Sequence, residues 1–166
     1  PRFGEHVCWG ESSAVLYANS LLGARTNREG APSALATALT GFTPAFGMHL
    51  QENRYANIHI EIDYPLQEVT DYACAGYYLA KNYPDALPVY TGFPKRAPQF
   101  ALKAVCASLG SSGSVSMFHA VGITPEAATL EAATGGKKIE RIRMGKKERD
   151  ETAAFLGRTN VSNEVD

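Results

Sequence analysis

The side chains best suited to chemistry lie close together near the start of this chain, between Glu11 and Gly30. These twenty residues carry two carboxylates, three serine hydroxyls, two side-chain amides and two guanidinium groups. Arginine presents a planar pair of N–H donors to a carboxylate or phosphate, serine and asparagine form directional hydrogen bonds, and glutamate accepts or releases a proton. Such a concentration is typical of a site that orients a small anionic, hydroxylated ligand.

The candidate substrate contacts from this stretch are Glu11, Ser12, Asn19, Arg25 and Arg28. Each also has an ordinary structural interpretation. The first two residues could simply cap a helix, the asparagine could be satisfied by backbone groups, and each arginine could pair with a nearby glutamate. Capping does not exclude contact with a ligand, so both interpretations stay open at this point.

Composition excludes several classes of protein. A chain of 166 residues with 45% hydrophobic and 20% charged residues is typical of one globular domain with a real core. A formal net charge of −1 gives no electrostatic basis for binding nucleic acid or an anionic membrane. Three cysteines at irregular spacing do not make a disulfide framework, which favours a reducing, cytoplasmic setting.

Hydrophobic periodicity predicts the elements that must position these residues. Helices are predicted at 10–22, 32–39, 66–82, 98–109, from 124 onward and at 146–156, with strands at 57–62, 87–91, 114–121 and 139–144. Ser12 or Ser13 is the expected cap of the first helix, whose free backbone N–H groups would favour an anion. Helices that alternate with strands over short connections predict a single α/β domain over residues 1–166, with a mixed sheet covered by helices.

The four histidines are not spaced as metal ligands. His59 falls on the polar face of a predicted strand and is expected to be solvated. His119 ends an apolar strand and is expected to be a hydrogen-bonded core residue. His6 and His49 lie in loop-like segments and are weaker candidates for a cleft.

Several of these motifs resemble the large subunit of the aconitase X family. The longest is Trp9-Gly10-Glu11-Ser12-Ser13-Ala14-Val15 with Ala18-Asn19-Ser20 and the run from Gly23 to Gly30. The other matching stretches are 4–6, 32–35, 40–41, 47–50, 52–54, 71–72, 111–113, 118–119 and 121–127. The resemblance therefore covers nearly the whole chain.

That resemblance implies both a fold and an activity. Members of the family are iron–sulfur hydro-lyases related to aconitase, including mevalonate 5-phosphate dehydratases and cis-3-hydroxy-L-proline dehydratases. It implies an aconitase-like α/β/α domain, a small swivelling subunit or domain that closes the site, and substrate contacts from Glu11 and Ser12. The version of the motif from Arg25 to Gly30 favours mevalonate 5-phosphate. Dehydration of cis-3-hydroxy-L-proline, or a non-catalytic ligand-binding or structural α/β domain, are the alternatives.

The resemblance also implies that an iron–sulfur cluster, of the [4Fe–4S] type, is held by residues outside this chain. In the family one ligating cysteine lies just upstream of the run from Pro1 to His6, and another follows the position of Asp166. We therefore expect an internal segment of a larger large subunit that binds no metal and is inactive alone. Cys8, Cys74 and Cys106 do not occupy the ligand runs, and the last two fall on apolar helix faces.

Overall fold

A computed structural model of the chain describes residues 1–161, which form an α/β fold. In chain order the elements are α1 (Ser12–Leu16) continued by a π-helical turn (Tyr17–Leu21), α2 (Ala31–Thr40), two 3-10 turns (Gly47–His49 and Gln51–Arg54), β1 (Ile58–Asp63), α3 (Val69–Asn82), β2 (Pro88–Thr91), α4 (Gln99–Ser112), β3 (His119–Ala120), α5 (Leu130–Thr134), β4 (Glu140–Gly145) and α6 (Lys146–Val161). Within these residues, none of the helices combines the length and hydropathy required to cross a membrane.

The four strands form one sheet in the order β3-β2-β1-β4. The α/β class is confirmed, but the mixed sheet expected from the sequence is instead parallel at every described strand pair. The reason is that a helix separates each strand from the next and returns the chain to the same end of the sheet. β4 lies at an edge, as its alternation of apolar and charged residues predicted.

The main hydrophobic core lies between one face of the sheet and helices α3 and α4. Ile58, Ile60 and Ile62 alternate onto that face of β1, and Tyr90 of β2 stands beside Ile60 in register. Fully burying one such side chain stabilises the fold by about 1.5–3 kcal/mol. A smaller cluster around Val89 lies on the opposite face, so the two inner strands are buried on both sides.

The fourth helix runs past the residue that the sequence predicted as its end. α4 continues through Gly110 to Ser112, and Gly110 instead lies against the start of α1. A Cβ on Gly110 would stand only 3.2 Å from the Ser12 hydroxyl oxygen and from the Ser13 backbone nitrogen. This glycine therefore permits close helix packing rather than stopping a helix, and it fixes the distance between α1 and α4.

Two other element boundaries differ from the sequence prediction, because side-chain hydroxyls form hydrogen bonds with backbone N–H groups there. β3 is only His119–Ala120 rather than 114–121, since the Phe118 N–H is taken by the Ser20 hydroxyl at 2.9 Å. The helix predicted from Thr124 begins later, at Leu130, where the Thr129 hydroxyl caps it. Thr124 instead closes a turn, and its hydroxyl accepts the Ala120 N–H at 3.0 Å.

α2 forms where the sequence predicted a helix, yet none of its ten residues is buried. Leu35 and Leu39 expose 61% and 78% of their surface, and Phe42, just beyond the helix, exposes 80%. A helix of this length is marginal in water on its own. An exposed apolar group of this kind is typical of a surface that meets another protein or domain.

Substitution of Gly92, the residue directly after β2, tests the packing at the carboxyl end of the sheet. Its φ is 94°, and a Cβ there would collide with the Ile62 carbonyl oxygen. We expect Gly92→Ala to lower the free energy of unfolding by roughly 3 kcal/mol, because left-handed strain adds to the clash. Gly122→Ala is the control, with a φ of 74° and open space around it, and it should cost only about 1 kcal/mol. Equal losses in urea unfolding would contradict this account.

Candidate functional site

The segment before α1 runs beside the loop that carries the candidate arginines. The Arg25 N–H donates to the Glu5 carbonyl at 2.9 Å, and the Glu29 N–H donates to the Trp9 carbonyl at 3.0 Å. The approach is close at Gly10, where a Cβ would stand 2.6 Å from the Glu29 carbonyl oxygen. These contacts bring the two ends of the polar stretch together at the start of α1.

Glu11 caps α1 with its own carboxylate. One oxygen accepts the Ser13 N–H at 2.9 Å, and the other accepts the Ala14 N–H at 2.6 Å and the Ser13 hydroxyl at 2.7 Å. These hydrogen bonds, the Ser13 N–H foremost, hold the pKa of Glu11 below its usual value. The expected serine cap is therefore replaced by the longer glutamate side chain. Since Glu11 already takes the first N–H groups of α1, they are not left for an external anion.

Ser12 stays beside Glu11 at the junction of α1 and α4. Its hydroxyl donates a long hydrogen bond of 3.5 Å to a Glu11 carboxylate oxygen. The side chain is half-buried because Gly110 of α4 packs against it. Of these two neighbouring residues, which carried the strongest prediction of ligand contact, Glu11 lines the cleft described below, whereas Ser12 is not among its lining residues.

Asn19 is fully buried and uses all four hydrogen-bonding positions of its amide within the protein. Its nitrogen donates to the carbonyls of Thr26 at 2.8 Å and Ser116 at 2.9 Å. Its oxygen accepts the Thr26 N–H at 2.9 Å and a guanidinium N–H of Arg54 at 3.4 Å. This geometry matches the alternative in which backbone groups satisfy the asparagine, and it joins α1 to the arginine loop.

Arg28 binds the carboxyl end of α4. Its two terminal nitrogens donate to the carbonyls of Gly110 at 3.1 Å, Gly113 at 3.0 Å and Val115 at 2.9 Å. A cation at this position complements the negative end of the helix dipole. Burial lowers the pKa of Arg28, and the nearby Glu11 carboxylate opposes that shift.

Arg25 is likewise occupied by protein groups. Its terminal nitrogens donate to the His49 carbonyl at 2.9 Å and to the side-chain oxygen of Gln51. His49 is buried, and its ring stacks on that of His6 with the two Nδ1 atoms 2.8 Å apart, so one donates to the other. The arginine and the two histidines form a cluster beside the loop, whereas none of them lines the cleft described below.

Sequence reasoning missed Arg54, whose guanidinium is completely buried. Its Nε lies 3.0 Å from both carboxylate oxygens of Glu126, and its terminal nitrogens donate to the carbonyls of Met48 at 2.9 Å and Ala24 at 3.0 Å. The Arg54 carbonyl in turn accepts the His119 ring N–H at 2.7 Å. Glu126 is 72 residues away in sequence, so no local pattern identified the pair.

A cleft of about 460 Å³ opens between α1 and α4, and we call it the α1–α4 cleft. Its lining residues are Trp9, Glu11, Ser13, Ala14, Tyr17, Lys103, Cys106 and Ala107. This volume lies within the range of sites for small molecules. Two aromatic rings, one carboxylate and one ammonium group therefore face a space large enough for a small hydroxy acid.

A second cavity, of about 670 Å³, lies on the opposite face of the sheet beside His59, Lys138 and Arg141. His59 is buried, which corrects the expectation that it is solvated. It stands on the inner strand β1 and hydrogen-bonds the Thr91 hydroxyl at 2.7 Å on the neighbouring strand. Burial lowers its pKa, so the ring is held neutral and carries no charge into this cavity.

The cysteines do not fit an iron–sulfur cluster. Among residues 1–161 no group of three histidine, cysteine, aspartate or glutamate side chains is placed to hold a metal ion. Cys74 and Cys106 are buried in α3 and α4, where burial raises the pKa of both thiols, that of Cys106 to about 12. Because the thiolate is the metal ligand, such thiols are poor ligands.

A parallel sheet flanked by helices, with a cleft between α1 and α4, defines the class of protein as an α/β domain. Two sequence models match the chain: Aconitase X first domain over residues 1–52, and Aconitase X second domain over residues 56–154. The chain belongs to the aconitase X family. Arg54 lies in the short interval between the two matched ranges. The single domain expected for residues 1–166 stays a prediction.

Curated relatives carry two different names. The chain is 48% identical over 139 residues to the phosphomevalonate dehydratase large subunit of Methanothermobacter thermautotrophicus, covering 84% of this chain and 34% of that one. It is 44% identical over 126 residues to that of Thermococcus kodakarensis, with 76% and 32% covered. It is also 44% identical over 149 residues to the cis-3-hydroxy-L-proline dehydratase of Pseudomonas aeruginosa, with 87% and 26% covered.

A solved structure agrees with these matches. The crystal structure of Thermococcus kodakaraensis aconitase X in its holo-form superposes with a TM-score of 0.82 at 40% identity. The match covers 91% of this chain and 38% of that one. The chain spans between about a quarter and a third of the length of the curated relatives it matches.

Arg54→Met tests whether the buried guanidinium holds the site together. The substitution leaves the Glu126 carboxylate, whose side chain is 11% exposed, without its partner, so we expect the free energy of unfolding to fall by about 3 kcal/mol in urea titrations. Arg143→Met is the control, because Arg143 pairs with Asp63 at the surface and should contribute less than about 1 kcal/mol. Similar losses for the two variants would show that Arg54 has no special role.

Proposed function

We propose that this chain forms part of the large subunit of an iron–sulfur dehydratase that removes water from a small hydroxy acid. The α1–α4 cleft, with the Glu11 carboxylate at its wall, is the observation that carries the proposal. The favoured substrate is mevalonate 5-phosphate, which the names of the relatives at 48% and 44% identity support. Dehydration of cis-3-hydroxy-L-proline is the second candidate, because a relative with that name is also 44% identical.

This chain's own contribution is to bind and orient the substrate. The lowered pKa keeps Glu11 ionised at neutral pH, where it accepts a hydrogen bond from a substrate hydroxyl. An efficient general base has a pKa near the working pH, so Glu11 is better suited to orientation than to removing a proton. Ser12 supplies a second polar contact at the same junction.

The other three predicted residues act by holding the walls of the cleft. Asn19 joins α1 to the loop, Arg28 joins the loop to the end of α4, and Arg25 fixes the segment that contains His49. We assign the cluster, of the [4Fe–4S] type, to cysteines outside this chain. The three unpaired cysteines support a reducing compartment such as the cytoplasm.

We further propose that a small subunit docks on the exposed apolar side of α2. Relatives of this chain are named large subunits, which supports a separate small subunit as the occupant. α2 begins at Ala31, two residues after Glu29, whose N–H donates to the carbonyl of Trp9 in the wall of the cleft. A subunit seated on Leu35 and Leu39 would therefore lie beside the mouth of the cleft and could close it.

Glu11→Gln in the complete enzyme tests the role of the carboxylate. We expect kcat/KM for mevalonate 5-phosphate to fall by roughly 100-fold, because an amide is a weaker acceptor than an ionised carboxylate. The free energy of unfolding should change by no more than about 1 kcal/mol, the typical worth of a helix cap. Glu131→Gln, on the opposite side of the sheet, is the control and should retain full activity. A Glu11→Gln enzyme with the kcat/KM of the wild type would refute this role.

Leu39→Glu tests the docking surface. A charge at this position should weaken association of the complete large subunit with its small subunit by roughly 100-fold in calorimetry, since a desolvated charge is costly in an apolar contact. Val69→Glu, on the exposed start of α3, is the matched control and should bind normally. Normal association of the Leu39→Glu variant would exclude α2 as the docking site. If the variant large subunit instead fails to fold in the absence of the small subunit, Leu39 packs within the large subunit itself, which would also exclude α2 as the docking site.

A further inference from the structure

We propose that Lys103 is the anion-binding residue of the α1–α4 cleft and recognises the terminal phosphate of a phosphorylated hydroxy acid. The inference rests on the proposed function, since it concerns the ligand of the same cleft. Nothing in the sequence pattern drew attention to this lysine, because it lies far along the chain from the polar stretch of residues 11–30. α4 brings it beside α1 in the fold.

 Lys103 on α4 and Glu11 at the cap of α1 therefore face the same cleft from opposite sides of the helix pair.

The positions of the other cations near the cleft support the assignment of Lys103 as the anion-binding residue. The sequence pointed to Arg25 and Arg28 as the anion clamp, but both direct their terminal nitrogens at protein oxygens. Among the described residues that line the cleft, Lys103 alone carries a positive charge. Within residues 1–161 it forms no ion pair with a carboxylate, so its charge is available to a ligand.

The surroundings of Lys103 hold its ammonium group over the cleft. Its Nζ lies 5.4 Å from the centroid of the Tyr17 ring, which attracts a cation through its π-face. The Tyr17 hydroxyl is itself fixed by the Gln99 side-chain amide at 2.6 Å. Cys106 and Ala107, three and four residues further along α4, lie on the same side of the helix and line the cleft with it.

The arrangement of charge gives a ligand one orientation. A phosphate is drawn to the Lys103 ammonium and repelled by the ionised Glu11 carboxylate. A hydroxyl, which can donate a hydrogen bond, is the group that Glu11 accepts. A molecule with a phosphate at one end and a hydroxyl towards the other therefore binds with its phosphate at α4 and its hydroxyl at α1.

Calorimetric titration of the complete enzyme tests this inference. The enzyme is prepared without its cluster, so that turnover does not interfere, and is titrated with mevalonate 5-phosphate and with unphosphorylated mevalonate. We expect Lys103→Ala to weaken binding of the phosphorylated ligand by about 10–100-fold, as for loss of a charge-assisted hydrogen bond, and to leave mevalonate nearly unaffected. Lys103→Arg should restore most of the affinity. Lys137→Ala is the matched control, because Lys137 lies 5.8 Å from the Tyr55 ring, away from the cleft.

The outcomes separate this inference from the proposed function. Unchanged affinity of Lys103→Ala for mevalonate 5-phosphate overturns the inference, even where the loaded wild-type enzyme dehydrates that substrate. Equal losses for both ligands also overturn it, because they indicate a general role in the cleft rather than recognition of phosphate. A third outcome is that binding of mevalonate 5-phosphate depends on Lys103 but the enzyme dehydrates neither candidate substrate. That result would uphold the inference and contradict the proposed function.

Discussion

The buried guanidinium of Arg54 is the constraint on which the site depends. Removing a charge from water is costly unless every donor finds a partner, and Arg54 meets that requirement with Glu126 and with carbonyls from separate segments. Those partners include Ala24 near the end of the first helical segment and Met48 in the loop before β1. Because one side chain joins these segments, the start of the chain cannot shift against the sheet without leaving a buried charge unpaired.

The polar residues near the start of the chain divide into two roles around this constraint. Asn19 and Arg28 are taken up by the protein itself, and they hold α1, the loop and the end of α4 in a fixed arrangement. Gly110 then lets the two helices approach closely. Glu11 remains at the wall of the resulting cleft, ionised and pre-oriented by its own helix. Of the five side chains that the sequence predicted as ligand contacts, Glu11 lines the cleft, whereas Asn19, Arg25 and Arg28 hold its walls in place.

Local features of the fold were predictable from the sequence, whereas long-range partners were not. Strand β1 is indicated by its alternating isoleucines, and helix α2 by the proline and glycine near its ends, so each could be predicted from a few neighbouring residues. The partner of Asn19 at Ser116 lies 97 residues away, and the acceptors of Arg28 lie more than 80 residues away. For the same reason, the sequence pattern showed the alternation around His59 but not the neighbouring strands that bury it.

Hydrogen exchange of the complete enzyme, with and without mevalonate 5-phosphate, tests most directly whether the α1–α4 cleft is the ligand site. Our account predicts slower exchange of backbone amides in residues 9–17 and 99–107 when the ligand is bound, because those segments form the walls of the cleft. Protection confined to residues 130–141, beside the cavity on the other face of the sheet, would contradict it.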